Sequence, residues 1–124
     1  MATLLGAKIL IRRKIRGFSM SLTLRTRSGQ SYAFDGPFTD IGNLRKQSGV
    51  YSISTKANNG LHDIIDIGES QDVQTRVSNH DRSHLWKKYA IDTLYVSALY
   101  CDEKSRMIIE QQLRESYVPP AGDR

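Results

Sequence analysis

Apolar and polar residues alternate along the front of the chain and give way to helical spacing behind. Ser21-Leu22-Thr23-Leu24-Arg25-Thr26-Arg27 alternates residue by residue, Ser28-Gly29 supplies a turn and Ser31-Tyr32-Ala33-Phe34 returns, which predicts a hairpin over residues 20–35. Ahead of it, Leu4, Leu5, Ile9, Leu10 and Ile11 fit a strand or a short helix equally. Asp35-Gly36-Pro37 breaks the pattern, and Ile41 and Leu44, three apart, predict a short helix within 38–47. Gly49 to Thr55 and Leu61 to Ile67 are apolar, β-branched runs separated by Lys56-Ala57-Asn58-Asn59-Gly60, so they predict two antiparallel strands. Gly68 ends the second strand. Ser70 then offers an N-cap to a helix through residue 79, with Asp72 in its first turn and Val73 and Val77 as its buried stripe. A further short helix over 81–89 carries Leu85 and Trp86. A third strand runs from Thr93 to Tyr100. Asp102 caps a last helix to Ser116, which Pro119-Pro120 stops.

This order predicts an α+β fold, a small antiparallel β-sheet flanked by helices, with an added N-terminal β-hairpin. Residues 1–47 form a basic segment and hairpin packed on the core, and residues 48–124 form the principal domain. At 124 residues the chain suits one core, and 39% hydrophobic against 25% charged residues are globular proportions. No apolar run is long enough to span a bilayer. The basic cluster follows the apolar N-terminal residues, the reverse of a secretory signal, so a cytoplasmic protein with no membrane partner is expected. Cys101 is the single cysteine, which excludes an internal disulfide and fits a reducing compartment.

Charge changes the picture by where it lies. Lys8, Arg12, Arg13, Lys14, Arg16, Arg25 and Arg27 face no acid within the first 27 residues, whereas the rest of the chain is slightly acidic; the net charge is +5. Such an arm attracts phosphate backbones through counterion release, or simply keeps the chain soluble. Arg12, Arg13, Lys14 and Arg16 are therefore candidate nucleic-acid contacts. Lys87 and Lys88 beside Trp86 are two more, the alternative being Trp86 in the core and the lysines in water.

Three helix-borne residues invite chemistry. Glu110, three residues from both Met107 and Leu113, lies on or beside an apolar face, where a carboxylate is costly without a cation. By spacing alone it also reads as a surface Glu paired with Arg106 or Arg114. Arg76 borders the Val73/Val77 stripe and can grip phosphate oxygens with its planar fork, or form a rim pair with Asp72. His80 follows one turn later, as a proton relay, a phosphate ligand or an ordinary helix-end residue. The scattered histidines have no Cys partners at zinc spacing, and there is no phosphate-cradling glycine pattern.

Gly49-Val50-Tyr51, then Asp66-Ile67-Gly68, Arg76, His80, Glu110 and the tail Tyr117-Val118-Pro119-Pro120, in this order and spacing, resemble the GIY-YIG nuclease domain over residues 48 to 122. Val50 replaces the family's Ile. Asp66 stands where the second motif has Tyr, and Gly122 where the tail often has Asn. The resemblance implies a metal-dependent endonuclease acting on DNA, or on RNA. Glu110 would hold Mg²⁺ or Mn²⁺, Arg76 would stabilise the transferred phosphate, and Tyr51 with Asp66 or His80 would handle the water. Asp66 could join Glu110 at the metal or hydrogen-bond a water beside it, or leave the site without a base. An inactive module of the same shape, binding nucleic acid or a protein partner, is the alternative; a homo-oligomer is open.

Overall fold

The computed structural model describes residues 6–14 and 17–122, with side chains from residue 21 onward. Among these residues six strands form the sheet: β1 (Gly6–Lys14), β2 (Gly17–Arg25), β3 (Ser31–Phe38), β4 (Gly49–Lys56), β5 (His62–Ser70) and β6 (Tyr95–Tyr100). Three helices accompany them: α1 (Val73–Ser78), α2 (Ser83–Tyr89) and α3 (Glu103–Tyr117). The α+β class read from the sequence therefore stands. Every pairing is antiparallel, and the order β1-β2-β3-β6-β4-β5 curls until β1 meets β5 at Gly6–Asp63 and Ala7–His62, closing a barrel. The expected hairpin is β2–β3, and β3 joins β6, so the N-terminal region is built into the sheet. Of the ambiguous stretch before it, Ile9, Leu10 and Ile11 lie in strand β1 while Leu4 and Leu5 lie outside the described residues, and the helix expected within 38–47 is one 3₁₀ turn, Ile41–Asn43.

Helix starts follow from short polar side chains. Asp102 accepts the Ser105 N–H at 2.8 Å and so caps α3. Asp72, not Ser70, caps α1, accepting the Thr75 N–H three residues on at 3.1 Å, within reach of an N-cap carboxylate. The Ser70 hydroxyl instead accepts the Asp72 N–H one turn earlier.

Side chains leave β4 and β5 toward two separate apolar clusters. Tyr51, Ile53, Ile65, Val96 and Ala98 pack with Val73, Val77 and Trp86 under α1 and α2. Val50, Ile64 and Ile67 pack with Leu22, Leu24, Phe34, Leu113 and Tyr117 beneath α3. Strict alternation would point Asp66 toward the second cluster. It does not, because Ile53 pairs with Asp66 and the next residue, Ser54, pairs with Ile64, leaving Ile65 as an extra residue in β5. This bulge re-aims Asp66 to the side of Ile53 and Trp86.

Beyond Asp63 the outer edge of β5 is covered by the chain's end. The Ala121 N–H donates to the Ile65 carbonyl at 3.0 Å, and Arg114 Nη1 donates to the Ile67 carbonyl at 2.6 Å. Val118, in a left-handed conformation (φ 47°), turns the chain out of α3 so that Pro119–Gly122 can run there. Among the described residues no helix is long and apolar enough to cross a membrane.

Candidate active site

Tyr51 on β4 and Gly68 on β5 are cross-strand partners and face the same side. A Cβ on residue 68 would overlap the Tyr51 hydroxyl, so glycine there is what lets the phenol lie across the strand to its edge. The hydroxyl reaches a cleft of about 190 Å³ whose walls carry Arg76 of α1, Arg82 just before α2, and Glu110 and Arg114 of α3. Glu69 completes the rim, held by Arg106 Nε at 2.6 Å. Three residues singled out in the sequence, Tyr51, Arg76 and Glu110, thus meet at one place although they come from three elements. Glu110 is half-buried there, and Arg76, whose side chain is 40% exposed, pairs with Asp81 at 3.2 Å rather than with Asp72.

His80 stands behind Tyr51, past the end of α1 and buried. The backbone N–H of Arg82 donates to its Nδ1 at 3.0 Å, so the ring proton sits on Nε2 and is donated to the Tyr51 hydroxyl oxygen at 2.7 Å. Burial, followed by the charges of Arg76 and Arg82, pushes the His80 pKa down to about 4, so the imidazole is neutral at pH 7. Burial, followed by the Asp66 charge, pushes Tyr51 up to about 12, against the opposing pull of Arg76 and Arg82. Tyr51 is therefore a neutral phenol. Since its oxygen already receives the His80 proton, its own O–H is left to donate elsewhere.

Asp66 takes one of the places the sequence left open for it. It is fully buried and stands behind the cleft wall, where five N–H groups converge on its carboxylate. Trp86 Nε1 donates at 2.7 Å, the Ile67 N–H at 2.9 Å, Arg82 through Nε at 3.1 Å and Nη2 at 3.4 Å, and Arg114 Nη1 at 3.5 Å. With its oxygens so engaged and no part in the cleft lining, it fits the expectation of a position that supplies no base rather than that of a ligand beside Glu110. Gly122 belongs to the same arrangement: a Cβ at 122 would overlap the Asp66 carboxylate and crowd the Arg114 guanidinium. Asp66 and Gly122 are thus one local solution, the arginine taking the room a side chain at 122 would need.

Arg82 and Arg114 are the site residues that sequence reasoning missed. The usable signal was Asp66 itself, since a carboxylate inside an apolar strand must find cations, and arginines are the side chains built for that. Lys87 and Lys88 are exposed on α2, outside the cleft, while Trp86 is buried. Arg12, Arg13 and Lys14 lie on β1, where only the backbone is described, and Arg16 lies outside the described residues.

The donor set suits the divalent cation implied above. Mg²⁺ keeps much of its water and needs only one or two protein carboxylates, and Glu110 offers a hard oxygen in an open cleft beside Glu69. Among the described residues no three His, Cys, Asp or Glu side chains gather into a ligand cage, and Mg²⁺ requires none. Comparison with protein-family models, with curated proteins and with solved structures finds no match to this chain.

Proposed function

We propose that the chain is a cytoplasmic, metal-dependent nuclease that hydrolyses phosphodiester bonds of nucleic acid, DNA ahead of RNA, as its resemblance to the GIY-YIG domain implies. The observation that carries this reading is the convergence of Tyr51, Arg76 and Glu110 on one small open cleft. Cutting a phosphodiester requires positive charge around the phosphate and a fixed direction of attack. Arg76 supplies charge beside the Tyr51 hydroxyl. Neutral Tyr51, anchored by the His80 Nε2–H, directs its own O–H at a phosphate oxygen or at the attacking water, and orients rather than deprotonates. Glu110 would hold Mg²⁺ or Mn²⁺; when bound, the ion neutralises charge on the phosphate and acidifies water.

One observation favours the second reading, a module that grips nucleic acid without cutting it. The residue in the place of the second-motif Tyr is consumed by internal hydrogen bonds, so that position offers no base. The deciding assay incubates plasmid, single-stranded DNA and RNA with the protein and Mg²⁺ or Mn²⁺, beside Glu110→Ala and Arg76→Ala. Cutting by the parent alone, abolished by chelation, is the expected result. Binding without cutting on every substrate would leave only the module.

A further inference from the structure

Asp66 draws two arginines, Arg82 and Arg114, to the wall of the cleft, together with Trp86 Nε1 and a backbone N–H. Both arginines also line the cleft, with side-chain exposures of 29% and 11%, together with the more exposed Arg76 and the carboxylates Glu69 and Glu110. A guanidinium has five N–H donors and Asp66 takes two from Arg82, so that fork retains donors for a ligand. Arg114 is fixed a second time by the Ile67 carbonyl, and Gly122 leaves room for its head. The result is a set of guanidinium groups held before any ligand arrives, the condition under which charge is most effective on a phosphate.

We propose that Arg82 and Arg114, braced from behind by the buried Asp66 carboxylate, form with Arg76 a three-guanidinium seat for a backbone phosphate of nucleic acid. Asp66 is then a positioning residue, substituting for the missing motif Tyr by organising cations rather than by touching water. The inference rests on the nucleic-acid reading above and extends it to residues outside the motif.

The test reads binding apart from cutting. A fluorescently labelled 20-nucleotide single strand is titrated in EDTA by polarisation over a series of salt concentrations, with duplex DNA and RNA as further arms. Arg82→Gln and Arg114→Gln are each expected to weaken binding about tenfold and to lower the salt slope by about one. Asp66→Asn separates positioning from charge. Removing an acid should tighten binding to a polyanion if only net charge matters, whereas loss of the brace weakens it several-fold. Where Asp66→Asn fails to fold by circular dichroism, Arg82→Lys carries the same test, because it keeps the charge and loses the fork on Asp66; it too should bind several-fold more weakly. Unchanged binding by Arg82→Gln and Arg114→Gln, or tighter binding by folded Asp66→Asn, overturns the seat while leaving cutting at Glu110 untouched. Absence of cutting with these binding losses intact overturns the nuclease reading and leaves the seat. No binding of any arm by the parent overturns both.

Discussion

Two buried polar constellations flank the same cleft and solve burial differently. Tyr51 and His80 meet as neutral partners, each pushed by its surroundings toward its uncharged form. Asp66, one bulge away on the neighbouring strand, faces two guanidinium groups and the Trp86 indole, and the donors gathered on it make its burial tolerable. The uncharged pair costs little to desolvate and little to lose. The charged hub is expensive to assemble, and removing the carboxylate takes from the buried Trp86 indole its acceptor and from two arginines their shared acid. It follows that the hub governs whether the wall stands, and the pair governs how a hydroxyl is aimed.

The contrast is tested hardest at Asp66. Asp66→Ala strips the carboxylate from Arg82, Arg114 and Trp86 together and should cost roughly 3–5 kcal/mol in urea unfolding; a loss below about 1 kcal/mol would show the arginines finding solvent without penalty. Gly68→Ala attacks the other side by pushing the Tyr51 hydroxyl off its line. It should cost roughly 1–3 kcal/mol and weaken nucleic-acid cutting more than binding. Tyr51→Phe removes only the oxygen that accepts the His80 proton. A loss of about 1–2 kcal/mol is expected, with cutting abolished.

Acid should separate the two constellations again. The unfolded chain takes up a proton on His80 near the ordinary histidine pKa of 6.5, the folded chain only near 4. Unfolding therefore binds a proton between these values. The stability from neutral His80 is complete above the higher value and is lost as pH falls toward the lower one. The melting temperature should drop by about 5 °C over that interval, and His80→Gln should flatten the fall, its difference from the parent isolating the histidine from the carboxylates. The smallest effect belongs to the exposed α2 lysines. Lys88→Ala should change stability by less than about 0.5 kcal/mol and binding only through a lower salt slope, and a large loss of cutting there would move the site away from the cleft.

Much of the architecture was legible because it is local. Alternation around Leu22 and Leu24, the turn at Ser28-Gly29 and the Val73/Val77 stripe each concern neighbours in sequence, and the elements they predict are present. Boundaries moved where contacts decided them: Asp72 rather than Ser70 accepts the Thr75 N–H, and β1 is a strand paired with β2 along its length and with β5 at its start. Of the candidate site, Tyr51, Arg76 and Glu110 were visible as residue types whose spacing resembles that of a nuclease domain. Arg82 was not, because its role is set by a partner 16 residues away across a strand bulge.

The sequence by itself determined the order of elements, the glycine at 68 under Tyr51 and the presence of a carboxylate in an apolar strand. Only the tertiary structure decided what that carboxylate is for. A single extra residue in β5 turns Asp66 from the cluster beneath α3 to the face of Trp86, and a left-handed turn after α3 brings Gly122 to its side. Neither follows from composition or period. Register and chain reversal are settled by which buried groups can all be satisfied at once, and that balance exists only when strands, helices and tail are together.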